Sequence, residues 1–227
     1  MAKKTSKRKT LNILDKNKKH SQFDYTEIFR HIRTNIEFST VDKDIKSICI
    51  TSSQAGEAKT TLSINLAYIF ATKYNRVLLI DCDLRKNTLH KYMGLSNKHG
   101  LTDALLEYRQ TKKLNVEYFQ NVKDPSFAGT MTVLTSGIHI PNPSELLGSH
   151  VFKDYINELK KAFDFIIIDC APVGNAVDGT IFAISSQDTN KKDAANCVKL
   201  LQRNNVNVLG SVLTKAKSLS GSHYYYY

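Results

Sequence analysis

The chain has no CxxC pair, no apolar run long enough to span a bilayer and no internal repeat. Without paired spacing, Cys49, Cys82, Cys170 and Cys197 form neither a zinc site nor a disulfide framework; the first three lie in or beside apolar strand-like runs and read as buried free thiols. No apolar h-region follows the basic start, so no signal peptide is read and the expected location is the cytoplasm. Acidic residues are also in short supply: 32 Lys and Arg stand against 21 Asp and Glu, a net charge of +11. Much of the excess is at the start, where Lys3, Lys4, Lys7, Arg8, Lys9, Lys16, Lys18 and Lys19 face a single Asp15. Residues 1–21 hold almost nothing to bury and read as a flexible basic arm. Such an arm could meet an acidic lipid surface, a nucleic acid or an acidic partner, or simply solubilise the chain. Nucleic-acid binding rests on net charge alone, so no nucleic-acid partner is expected.

What is present suits one globular domain: 227 residues, 41% hydrophobic and 23% charged. Asp24-Tyr25-Thr26-Glu27 reads as a helix start, and Ile28, Phe29, Ile32 and Ile36 form an apolar stripe that leaves Glu27, Arg30 and Arg33 on another side. Short apolar strands are read at 45–51, 76–80, 131–134, 165–168 and 206–213. Helices are read at about 60–72, 102–108, 151–162 and 190–203, and the turn Ile140-Pro141-Asn142-Pro143 introduces a further helical stretch. Strands without polar alternation, separated by helices, predict an α/β fold: a three-layer, mostly parallel sheet covered on both faces. Ligands then bind beyond the strand C-termini, and the candidate chemistry of this sequence falls at those ends.

The segment Ser52-Ser53-Gln54-Ala55-Gly56-Glu57-Ala58-Lys59-Thr60-Thr61 lies between a strand and a helix. In that context backbone N–H groups and a helix N-terminus can cradle a triphosphate. Residues Gly56, Glu57, Ala58, Lys59, Thr60 and Thr61 are the candidate binders; Lys59 would reach the β and γ phosphates, and Thr60 would set a hydroxyl on Mg²⁺. The strict phosphate-loop pattern is not met, because Ser53 and Ala58 occupy both glycine positions. Asp169 ends an apolar strand, where a carboxylate can order Mg²⁺ or its water, although a helix cap is the plain alternative. Asp81 and Asp83 lie two apart, so persistent strand geometry would point both into the crevice. Two carboxylates and a lysine near one phosphate site suit Mg²⁺-assisted phosphoryl transfer, one carboxylate organising the ion and another accepting a hydroxyl proton. Residues 219–227 read as a flexible tail whose end, Tyr224, Tyr225, Tyr226 and Tyr227, is a sticky aromatic cluster or a set of modifiable hydroxyls.

From about residue 22 onward the sequence closely resembles the cytoplasmic bacterial (BY-type) tyrosine kinases of the CapB and CpsD kind, which serve capsule and exopolysaccharide biosynthesis. The resemblance rests on the phosphate loop at 52–61, on the Val77–Arg85 acidic segment and on Ile166–Asp169 followed by Ala171-Pro172. The turn Pro141–Leu147 and the tyrosine tail add to it. It implies a kinase domain over 22–218 with the fold of MinD- and ParA-like P-loop NTPases, using ATP and Mg²⁺. Lys59, Asp81, Asp83 and Asp169 are then catalytic, with Asp83 the base toward tyrosine and with Thr60, Asp81 and Asp169 around the metal. Tyr224–Tyr227 are implied to be autophosphorylated between neighbouring subunits, and Glu27, Arg30 and Arg33 to close a ring-shaped homo-oligomer. The implied partners are a membrane polysaccharide co-polymerase adaptor, which holds the kinase at the inner face of the membrane, and a protein tyrosine phosphatase.

Three departures from the family pattern stand out. Ala58 replaces the glycine before the lysine, a change that costs about 1–2 kcal/mol if φ is positive there. The stretch between Asp178 and Asn190 is about nine residues shorter than in relatives, and Thr214 stands where many have an asparagine near the base. The alternative reading is therefore a catalytically weak or inactive ring-forming regulator of the co-polymerase. A partitioning ATPase of the MinD or ParA kind shares the fold, but Gln54 occupies the place of its signature lysine.

Overall fold

The computed structural model describes residues 25–39, 44–169 and 176–216. The basic arm, Asp24, Cys170, Ala171-Pro172 and the tyrosine tail lie outside the described residues. In chain order the elements are α1 (Tyr25–Phe38), β1 (Ser47–Ser52), α2 (Lys59–Ala71), β2 (Arg76–Asp81), α3 (Leu89–Met93) and α4 (Leu101–Thr111). There follow β3 (Gln120–Val122), β4 (Thr130–Leu134), α5 (Pro143–Leu147), α6 (His150–Ala162), β5 (Phe165–Asp169), β6 (Gly179–Ser185), α7 (Lys191–Arg203) and β7 (Val208–Thr214).

The strands form one seven-stranded sheet in the order β3-β4-β2-β5-β1-β6-β7. Every pairing is parallel except β3 with β4 at one edge. Burial on both faces follows from the alternation of side chains along each strand. Ile48, Ile50, Val77, Leu79, Val133, Ile167 and Ile181 face α1 and α2 in one core. Cys49, Leu78, Ile80, Leu134, Ile166 and Ile168 face α4 and α6 in the other. Helix α2 is apolar nearly all round because it is buried along most of its length, with α1 packed against it. The expected three-layer α/β architecture is the one observed.

Two strands had no counterpart in the sequence reading. β3 is a three-residue, half-exposed edge strand with little apolar content. β6 lies inside the 178–190 segment, where its seven residues form a complete buried strand between β1 and β7. The last strand begins at Val208, two residues later than read, because α7 ends in a turn with Asn205 at φ 55 and the Val206 N–H bonded to Leu201 O at 3.0 Å.

One side chain staples the lower end of the sheet. Asp178 Oδ2 accepts the N–H groups of Lys46 (3.0 Å) and Ser47 (2.9 Å) and the Ser47 hydroxyl (2.9 Å), and its Oδ1 accepts Lys160 Nζ at 2.6 Å. It thus joins the starts of β1 and β6 to the last turn of α6. These bonds, led by the Lys160 ammonium, outweigh burial and hold its carboxyl below the ordinary value of 3.8. A depressed folded pKa gives stability that is present above the unfolded value and lost as pH falls through the folded one. Asp178→Ala is expected to lower the stability measured by urea unfolding at pH 7 by about 2–4 kcal/mol, with the deficit shrinking below pH 4.

Candidate active site

The parallel register sets the site. Asp81, the last residue of β2, pairs with Asp169, the last residue of β5, and β1 beside β5 runs on into the phosphate loop. Register partners on adjacent parallel strands point to the same face, so the two carboxylates lie side by side. Asp81 is fully buried and Asp169 is 1% exposed. Burial, then the charge of Asp169, pushes the Asp81 carboxyl up to about 8. Burial raises Asp169 to about 6, against the opposing pull of the Thr60 hydroxyl and the Lys59 ammonium. Ser63, one turn into α2, also donates to Asp169 Oδ1 at 3.3 Å.

Asp83 departs from the strand geometry. β2 ends at Asp81 and the chain turns, so that the Asp83 N–H donates to Asp81 Oδ1 (3.1 Å) while Asp83 Oδ1 accepts the Lys86 N–H (2.9 Å). Asp83 is half-buried, and its charge still raises the carboxyls of both Asp81 and Asp169. The three acidic residues therefore converge, though through a turn at Asp83 rather than along an extended strand.

The phosphate loop folds as the strand–helix context requires. Gly56 has φ 87 and Ala58 has φ 61, both left-handed, and α2 begins at Lys59 with the Leu62 N–H on Ala58 O at 2.9 Å. Ala58 therefore does take the conformation in which its Cβ costs about 1–2 kcal/mol. Lys59 Nζ donates to Ser52 Oγ at 3.1 Å, and Ser52 Oγ donates to Gln54 O at 2.7 Å. Glu57 is 1% exposed; its carboxylate accepts the Gln54 N–H at 2.7 Å, the Ser53 hydroxyl at 3.2 Å and the hydroxyl of Thr189. Thr214, at the end of β7, donates its hydroxyl to Glu57 O at 2.9 Å.

Ser63, Thr189 and Thr214 complete the site without belonging to the motif. Ser63 had a signal, a small polar residue one turn after Lys59 in the buried part of α2. Thr189 had none, since its contact spans 132 positions. The polar set Glu27, Arg30 and Arg33 is divided. Glu27 and Arg30 pair with each other on the exposed face of α1. Arg33 instead turns inward, donating to Ile69 O (2.9 Å) and Thr72 Oγ1 (3.3 Å) at the end of α2.

Among the described residues no group of three or more His, Cys, Asp and Glu is arranged to hold a metal. The donors that are present fit Mg²⁺ in another way. Asp81 Oδ2 is buried with no hydrogen-bond partner, beside a second carboxylate and the Thr60 hydroxyl. That is a hard-oxygen set which leaves positions for phosphate and water. A divalent cation would satisfy the orphaned oxygen and offset the burial and neighbouring charge that raise these carboxyls.

A model described as an AAA domain matches residues 45–189. The chain is 40% identical to the tyrosine-protein kinase YwqD of Bacillus subtilis over 89% of its length and 86% of that protein. It is 33% identical to the tyrosine-protein kinase CpsD of Streptococcus pneumoniae, covering 83% of each. The kinase domain of the Escherichia coli tyrosine kinase ETK superposes with a TM-score of 0.75 at 27% identity, over 88% of this chain and 79% of that one. No helix among the described residues is long and apolar enough to cross a membrane. With 40% identity over 86% of one tyrosine kinase and 33% over 83% of another, the chain belongs to the bacterial tyrosine-protein kinases.

Proposed function

We propose that the chain transfers the γ-phosphoryl group of ATP to the tyrosines at 224–227 of neighbouring copies, and that this cycle regulates capsule or exopolysaccharide assembly at the inner face of the membrane. A membrane polysaccharide co-polymerase and a protein tyrosine phosphatase are the partners, and the working assembly is a ring in which the exposed Glu27 and Arg30 of α1 meet the neighbouring copy, while Arg33 braces α1 on α2 from within. The observation that carries the reading is the meeting of the Lys59–Thr60 helix start with the buried Asp81–Asp169 pair.

Each residue has a task that its surroundings support. The loop N–H groups and the start of α2 bind the phosphates, with Lys59 at their β and γ positions. Thr60, Asp169 and Asp81 would hold Mg²⁺, which when bound neutralises phosphoryl charge and aligns the nucleotide. Asp83 is less buried than the pair behind it and lies on the turn beyond β2, where it can accept the tyrosine hydroxyl proton. Tyr224–Tyr227 follow a Ser- and Gly-containing segment, which suits a tail that presents hydroxyls to a second copy.

A second reading, a weak or inactive ring-forming regulator, draws on the left-handed Ala58. Its strain of about 1–2 kcal/mol corresponds to roughly a tenfold effect. That is enough to weaken nucleotide binding and too little to abolish it, so the kinase reading is preferred.

Purified protein incubated with ATP and Mg²⁺ is expected to gain phosphotyrosine. The signal should fall at least about 100-fold in Lys59→Met and vanish when residues 224–227 are all phenylalanine; signal that persists in Lys59→Met would sink the assignment. Asp81 gives a second expectation with opposite signs for activity and stability. Its folded pKa of about 8 lies above the ordinary 3.8, so ionisation costs the fold stability increasingly from pH 4 to pH 8. In metal-free buffer at pH 8, Asp81→Asn should raise unfolding stability by about 1–3 kcal/mol, while phosphotyrosine formation is lost.

A further inference from the structure

We infer that Glu57 is a positioning residue, which holds the strained turn of the phosphate loop from behind through Thr189 and Thr214. The inference deepens the nucleotide-binding reading and rests on it. Glu57 lies between the two left-handed residues of the loop, Gly56 at φ 87 and Ala58 at φ 61. Glycine adopts that conformation freely; alanine does so only when its neighbours hold it there.

Glu57 is gripped at both ends. Its carboxylate takes the Gln54 N–H, the Ser53 hydroxyl and the Thr189 hydroxyl, and its main-chain oxygen takes the Thr214 hydroxyl. These partners come from the loop itself, from the β6–α7 connection and from the end of β7. The side chain is 1% exposed, and all of its hydrogen bonds come from neutral donors. A carboxylate directed at a triphosphate would repel it; one locked into the scaffold keeps its charge turned away from the phosphates. Glu57 therefore does not touch the nucleotide but fixes the peptide groups that do. Thr214 is likewise committed to the loop backbone, which gives this departure from the family pattern a structural task. Where this chain has alanine in place of the more permissive residue, the hold has more to do, and the two positions should be energetically coupled.

The test is a cycle of Glu57→Gln and Ala58→Gly, with Thr189→Val alongside. Mg²⁺·ATP affinity is measured by calorimetry, tyrosine phosphorylation by kcat and KM, and folding by the urea midpoint. Glutamine keeps the shape but presents an amide where Gln54 N–H and the hydroxyls need acceptors. Glu57→Gln should weaken ATP binding about tenfold with kcat changed less than about twofold. In the Ala58→Gly background the same substitution should cost about threefold or less, and Thr189→Val should move affinity in the same direction. Equal losses in both backgrounds would overturn the inference, as would a fall in kcat at constant affinity or an affinity loss that merely tracks the urea midpoint. If the unsubstituted chain binds no Mg²⁺·ATP, the nucleotide reading itself fails; normal binding there, unchanged in Glu57→Gln, overturns the inference alone.

Discussion

The register of β2 against β5 is the constraint on which the site depends. It sets Asp81 beside Asp169 at the same height on adjacent parallel strands, buries both and leaves one oxygen of Asp81 unpartnered. A sheet covered on both faces excludes water along its length, so polar groups can be useful only where the strands stop. The strand ends here set two carboxyl groups side by side in a dry place, where charging both opposes folding and a cation favours it. The phosphate loop on β1 then supplies the opposite chemistry one strand further along, with the Thr60 hydroxyl and the Lys59 charge acting on Asp169.

The two halves of the site are held by different means. The acidic half is fixed by backbone pairing, which no single side chain can undo. The loop half depends on side chains drawn from distant parts of the chain, with Glu57 reaching across 132 positions to Thr189 and Thr214 across 157 to Glu57 O. The 178–190 segment matters in this light. It holds a complete β6 and delivers Thr189 to the loop, so it serves both the sheet and the back of the loop.

Much of this was legible in the sequence because it follows from local rules. Apolar runs such as Phe165–Ile168 announce buried parallel strands, and an acidic residue directly after such a run marks the sheet's C-terminal edge. Lys59 and Thr60 were legible from a loop between strand and helix even with both glycines replaced. What escaped depends on contacts distant in sequence or on backbone angles. β3 is too short and polar to show a period, and Asp83 was read along an extended strand that ends two residues earlier. Glu57 was grouped with the nucleotide binders by its place in the motif, whereas its direction is set by Thr189, which no local pattern signals. Arg33 was grouped with Glu27 and Arg30 by helical spacing, and only the packing of α1 on α2 draws it inward.

That inward turn of Arg33 has a mechanical meaning. Its guanidinium grips the last turn of α2, and the first residue of the same helix is Lys59. Thirteen residues of α-helix make a rod about 20 Å long, stiff on the scale of a loop movement. Glu37 adds a second clasp at the same end, holding Lys73 at 2.9 Å and Tyr74 Oη at 3.1 Å. The outer helix and the phosphate-binding end are thus the handle and the tip of one lever. The exposed face of α1, where Glu27 and Arg30 sit, is tied through Arg33 and Glu37 to the helix that begins at Lys59.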